Sequence, residues 1–306
     1  VTGLKVIRPG PLSLLQDGGR LGWQHLGVSP SGPVDPHAAA WANRLLDNPW
    51  GTPLLEIALG GVELESDVDT WAACCGAELP LTLDGEPRPC WSRFPLRAGQ
   101  RLALGFARSG QRGYLAVAGG FRVTPVLGSV ATQVREGLGG PDGHGRALRA
   151  GDLLPCDLAD RAGGQSMPWR FVPDYRAEPR LRVMLGGDAA DFAEEERRAF
   201  LERPWRLSPQ SDRMGARLIG EPLRPPRRQW SLGVAGGAVQ VPPDGQPIVL
   251  LADRQTMGGY PVLGWVHPLD LGLLAQSPAH RVVRFERVTV GRVQEELRAF
   301  YRFFGR

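Results

Sequence analysis

Short apolar runs, each closed by a turn-forming pair, recur along nearly the whole chain, and this rhythm predicts many short strands rather than helices. The runs are Leu54 to Leu59, Leu79 to Leu83, Arg101 to Phe106, Tyr114 to Ala118, Leu181 to Leu185, Ile248 to Ala252 and Arg281 to Val290. Between them stand Asp84-Gly85, Ala98-Gly99, Ala150-Gly151-Asp152 and Asp244-Gly245. Three segments read as helices instead. Asp35-Pro36 opens His37 to Leu46 with an acidic cap and a first-turn proline. Ala189 to Leu201 carries acidic residues early and arginines late, matching the helix dipole. Gln294 to Phe303 forms a closing helix. The pattern is that of a mainly β protein built as a barrel or sandwich.

A repeat divides this pattern. Gly99 to Tyr114 and Gly245 to Tyr260 align without a gap and share Gly, Gln, Leu, Arg, Gly and Tyr at equal spacing. Duplication predicts two similar β domains, 1–165 and 166–306, with the boundary in the loop-rich stretch Leu158 to Pro173.

Composition narrows the class. A 306-residue chain with 41 glycines, 28 prolines and 42% hydrophobic residues is long enough for two cores and too apolar for disorder. The net charge of +4 is small and its charges are interspersed, as in Glu194-Glu195-Glu196-Arg197-Arg198, so no nucleic-acid stripe is present. No run approaches the roughly 20 apolar residues of a membrane span. The start lacks an apolar core before Pro9-Gly10, and Cys74, Cys75, Cys90 and Cys156 make no disulfide framework; both predict free thiols in a reducing cytoplasm.

Several chemistries fail on their motifs. Lys5 is the only lysine among 36 basic residues, so there is no phosphate-loop lysine, and no plausible lysine for attached biotin. Gly27 to Gly32 has Ser31 where a nucleophile elbow needs glycine. Gly137-Leu138-Gly139-Gly140-Pro141-Asp142 lacks the glycine and helix of a dinucleotide loop, and reads as a flexible surface loop through His144. The histidines show no metal-binding spacing.

Three polar, glycine-rich segments carry more side chains than turns require: Gln16-Asp17-Gly18-Gly19-Arg20 through Asp35, Ser208 to Arg217, and Gln240 to Pro261. Through these, QDGGRLGWQHLGVSPSGPVD, SPQSDRMGARL and VPPDGQPIVLLADRQTMGGYP, the chain resembles the allophanate hydrolase subunit 2 (KipA/PxpC) family from about Val6 to Val290. Bacterial members include the C component of ATP-dependent 5-oxoprolinase, and the same module forms part of the carboxyltransferase domain of biotin-dependent urea carboxylase. The resemblance implies two tandem cyclophilin-like β-barrels. It also implies a heteromeric complex with a KipI-like B component and an A component, and an isolated chain that is inactive. The implied reaction opens 5-oxo-L-proline to L-glutamate with ATP hydrolysis, ATP being bound by or shared with the partners. Alternatives are the carboxyltransferase half of a urea-carboxylase-like system and a regulatory protein that sequesters a KipI-like inhibitor. The sequence departs from the family pattern at Leu232, often acidic, and Met257, commonly threonine.

Lactam activation by ATP calls for positive charge beside a moving phosphate, which arginine forks supply. Arg20, Arg213, Arg217 and Arg254 are the candidates, with Arg213 and Arg254 assigned to catalysis beside His25 as the proton-transfer group. Gln16, Gln210, Gln240, Gln246 and Gln255 can read an amide from either side. Gly258 and Gly259 permit close backbone approach, and Tyr260 closes the pocket. Loop pinning remains open for the arginines through Asp17, Asp212 and Asp253, and backbone bonding for each glutamine.

Overall fold

The computed structural model describes residues 1–160 and 163–306. It is mostly β, with two compact units: Val1–Arg20, Ser31–Arg176 and Phe304–Arg306 in one, Leu21–Pro30 and Ala177–Phe303 in the other. Of the stretch Leu158 to Pro173, residues 161 and 162 lie outside the described residues. Among the described residues no helix is long and apolar enough to cross a membrane.

In the first unit two six-stranded sheets close on one core. Alternation decides which side chains enter it. In Val62–Ser66 the buried and half-exposed residues alternate, whereas Thr70–Gly76, a central strand, is buried along its whole length. Leu81–Leu83 and Glu86–Arg88 are joined by Asp84-Gly85, both with positive φ, the two-residue turn whose twist suits a hairpin. Asp35 caps Pro36–Arg44 as its sequence predicts, its carboxylate accepting from the Ala38 N–H at 3.1 Å.

Next to that cap lies a buried polar cluster. Glu56 accepts from the Val34 N–H at 3.0 Å and from the Tyr114 hydroxyl at 2.9 Å. Tyr114 accepts in turn from the Asp35 N–H, and the Asp35 carboxylate accepts from the Tyr175 hydroxyl at 2.9 Å. Burial, with nearby carboxylates, pushes both phenols well above their usual pKa and keeps them protonated donors.

The second unit is a closed seven-stranded barrel in the order Arg180–Leu185, Val262–Val266, Ala238–Gln240, Ile248–Leu250, Gly215–Ile219, Trp205–Leu207, Val282–Arg287. Parallel pairing of Arg180–Leu185 with Val282–Arg287 closes it, so none of the seven strands is left as an open edge. Phe200 and Phe285 stack at 4.4 Å inside, beside fully buried Trp205.

Two sequence expectations shift. The strand expected over Arg281 to Val290 ends at Arg287, because Val290 begins the helix Val290–Phe304. The loop through His144 is braced instead of loose. Gly139 bridges to His144, and Arg146 pairs with Asp142 and Asp152 at 2.6 and 2.7 Å. The repeat is closest in its first half. Gly99 and Gly245 both take positive φ before a strand, but Tyr114 is fully buried and Tyr260 is 45% exposed.

Candidate functional site

The residues singled out in the sequence fall into three places. In the first unit Gln16 and Arg20 are fully buried and committed to backbone. Gln16 accepts from the Gly32 N–H and donates to the Thr132 carbonyl. Arg20 donates to the carbonyls of Val126, Ser129 and Ala131 at 2.9, 3.2 and 2.9 Å. Asp17 holds the same loop from the other side, accepting from the Ser129 hydroxyl and the Val130 N–H. Both residues brace one loop through these bonds to residues 126–131.

In the second unit Gln210, Arg217 and Gln246 line an outer cleft. Around the barrel strand Ala238–Gln240 a different group assembles. Arg213 pairs with Asp253 through two contacts of 2.8 Å, both side chains buried, which locks the Ser208–Arg217 segment onto the turn before Arg254. This carboxylate comes from a distant loop and not from the adjacent Asp212. The segment Leu21–Pro30 reaches the same turn, Ser29 Oγ lying 3.5 Å from the Ala252 carbonyl. His25 sits on this segment, on the exposed turn Gln24–Leu26.

Arg254 is half-buried and differs from Arg213. Its guanidinium makes two long contacts of 3.4 Å to the Val234 and Leu251 carbonyls, and among the described residues no carboxylate lies within ion-pair range. Burial alone lowers its pKa from the ordinary arginine value. Gln240 is 1% exposed, and its Nε2 has no hydrogen-bond partner among the described residues. That group faces Gly258: a Cβ built there would stand 2.3 Å from Gln240 Nε2 and 3.1 Å from Val234 Cγ1. A Cβ at Gly236 would stand 3.5 Å from Arg254 Nη1. Gly258 therefore lets the Gln240 carboxamide, whose N–H has no acceptor among the described residues, pack against its backbone, Gly236 lies beside the Arg254 cation, and Val234 lies next to both.

Beside this cradle runs a two-stranded ribbon in which Leu232 pairs with Gly258 and Gly233 with Met257. The two positions at which the sequence departs from the family pattern, Leu232 and Met257, are thus brought onto one ribbon, 50% and 54% exposed. Arg228 fixes the next turn: its Nη1 binds Asp188 at 2.9 Å and the Tyr260 carbonyl at 3.0 Å. Gln255 and Gly259 flank the ribbon without a role in these bonds, Gly259 facing the Ser231 hydroxyl. Val234, Gly236 and Arg228 carry no signal in the sequence, because an apolar residue, a glycine and an arginine near a strand look like ordinary turn chemistry.

A family described as carboxyltransferase domain, subdomain A and B, matches residues 26–287. The chain belongs to this carboxyltransferase family. Within it, the Escherichia coli protein named as the C subunit of 5-oxoprolinase is 40% identical over 298 residues, covering 97% of this chain and 94% of its own. The solved protein TTHA0988 is 38% identical with a TM-score of 0.82 over 94% of this chain. The Kluyveromyces lactis urea amidolyase is 26% identical with a TM-score of 0.89 over 98% of this chain. This family member spans 56% of the first of those solved chains and 20% of the second.

Proposed function

We propose that this chain is the C subunit of an ATP-dependent 5-oxoprolinase, working with a KipI-like B component and an A component. The observation that carries the reading is that Arg254, a half-buried cation without a carboxylate, and Gln240, a buried carboxamide lacking an acceptor among the described residues, both border Val234, one beside Gly236 and the other against Gly258. The 40% identity to the bacterial C subunit over nearly both whole chains supports the substrate assignment.

A lactam resists water because its nitrogen lone pair is delocalised onto oxygen. Transfer of the terminal phosphoryl group of ATP to that oxygen, with ADP leaving, removes the delocalisation. Water then adds to the ring carbon, the C–N bond breaks as the nitrogen takes a proton to become the amine, and the acyl phosphate so formed releases phosphate to a second water. In this reading Gln240 Nε2 donates to the ring oxygen or carboxylate of the bound substrate. Arg254 stabilises negative charge, and its weak hydration in this half-buried position strengthens the effect. The buried Arg213–Asp253 pair positions the turn that carries Arg254. The role given to His25 in proton transfer rests on its segment meeting that turn at Ala252. One such cation suits a single anionic group and not a whole triphosphate, so the reading assigns most ATP contacts, and with them catalytic competence, to the partner subunits.

Co-expression with the two cognate partner components, followed by 5-oxoproline-dependent ADP release, tests the reading. Arg254→Ala is expected to lower turnover by about a hundredfold, the scale of losing one charged transition-state contact. ADP release that needs urea and a biotin carrier, or that ignores 5-oxoproline, overturns it in favour of carboxyl transfer.

A further inference from the structure

The outer wall of the barrel carries a second cleft of about 350 Å³ that shares no lining residue with the Gln240–Arg254 cradle. Its floor follows from strand alternation. In Gly215–Ile219, Ala216 and Leu218 enter the core, so Arg217 and Ile219 point outward, and Ile248 lies directly across from Arg217 on the paired strand. Three turns raise the walls: Ser208–Gln210, Asp244–Gln246 and the approach to the last strand at His280.

These walls are fixed before any ligand arrives. Gln246 accepts from the Gly220 N–H at 2.9 Å and donates to the Gly220 carbonyl at 3.1 Å. One Asp244 oxygen accepts from the Gln246 N–H at 3.0 Å. Ser208, 6% exposed, accepts from the Gln210 N–H. His280 is held at φ +67°, a left-handed conformation rare for a non-glycine residue, while its N–H binds the Leu207 carbonyl. Arg217, by contrast, has no carboxylate within ion-pair range among the described residues, although Arg213, four positions earlier, is fully paired. The cleft thus presents a guanidinium, an imidazole and a carboxylate around an apolar floor of Ile219 and Ile248.

We propose that this cleft binds a free amino dicarboxylate, and, resting on the 5-oxoprolinase reading, that its ligand is the ring-opened product L-glutamate. Arg217 takes one carboxylate as a fork, the His280 imidazole N–H the other, and Asp244 the ammonium, while the methylenes lie on the isoleucines. The closed lactam has one carboxylate and no ammonium, so Asp244 discriminates product from substrate.

Calorimetric titration of the full chain with L-glutamate and with 5-oxo-L-proline tests this without the partner subunits. L-glutamate is expected to bind at least about tenfold more tightly than the lactam, with Arg217→Ala and Asp244→Asn each weakening it by about tenfold, the scale of one charge-assisted hydrogen bond. Circular dichroism of both variants checks that the barrel is intact. Absence of glutamate binding, lactam binding of equal strength, or binding unchanged by both substitutions overturns the inference. Active complex with no glutamate binding sinks this site alone; glutamate binding by a chain whose complex never turns over 5-oxoproline sinks the function and leaves the site standing.

Discussion

Glu56 in the first unit and Gln240 in the second are both 1% exposed, yet they sit in opposite circumstances. Glu56 is surrounded by donors: the Val34 N–H, the Tyr114 hydroxyl and Arg112, whose guanidinium approaches to 3.7 Å. Gln240 keeps a carboxamide N–H with nothing among the described residues to receive it. Arg20 and Arg254 differ in how firmly they are held, one on three carbonyls and the other on two marginal contacts. A buried polar group that is fully bonded holds the fold, whereas one left incomplete costs the folded state about 1–3 kcal/mol. Such a cost persists where a ligand completes the bonding, and that is the physical ground for placing the site at Gln240 and not at Glu56.

The largest effect should come from the completed cluster. Glu56→Ala removes the acceptor for Val34 and Tyr114 and uncouples Arg112, and is expected to lower stability by ~3–5 kcal/mol in equilibrium urea unfolding. Arg254→Ala should shift the same curve by less than about 1 kcal/mol. Equal shifts for the two variants would erase the distinction between holding the fold and serving the site.

The incomplete cluster should behave in the reverse sense. Gly258→Ala drives a methyl group into Gln240, 2.3 Å away, and overpacking of this kind costs ~1–3 kcal/mol. Gln240→Met removes the unpartnered N–H at similar volume, so stability should stay level or rise by ~1 kcal/mol while 5-oxoproline-dependent ADP release falls about tenfold or more. A Gln240→Met protein that is both less stable and fully active would show that Gln240 braces the barrel and nothing else.

The strand rhythm, the Asp35 cap and the polar segments are legible in the sequence because each rests on local chemistry. The partners are not. Arg213 reaches Asp253 across 40 positions, although Asp212 is its neighbour, because a buried guanidinium takes the carboxylate that the barrel brings to it. Arg20 and Arg254 are alike in sequence, each an arginine close behind an aspartate in a polar, glycine-rich segment, and only tertiary packing separates them. The passage of Leu21–Pro30 into the second unit is likewise invisible to periodicity, since the segment has no strand pattern to follow. Gln210, Arg217 and Gln246 are recognisable as polar residues in excess of turn needs, but only the strand register shows that Arg217 and Gln240 face outward in one row with Ile248 between them.

The smallest effect tests a pair of bonded clusters within the second unit. His267 is fully buried; its Nδ1 accepts from the Leu269 N–H at 3.1 Å, and its Nε2 lies 3.2 Å from Glu296, short of good hydrogen-bond geometry. Burial, and then the nearby Arg182, lower its pKa below the ordinary 6.5, so the folded chain resists a proton that the unfolded chain accepts. Stability from this residue is therefore complete above pH 6.5 and declines as pH falls from there through the lowered folded value. Glu296, held low first by Arg292 and also by Arg182, loses its contribution only below its ordinary 4.5. His267→Asn keeps an acceptor for Leu269 and removes the titration, so between about pH 7 and 5 its urea midpoint should fall less steeply than that of the parent. His37, also lowered by burial, stays in both proteins and cancels from the difference. Parallel curves across the whole range would mean that His267 is already paired well enough with Glu296 to accept its proton without loss, and would place the helix Val290–Phe304 among the completed clusters.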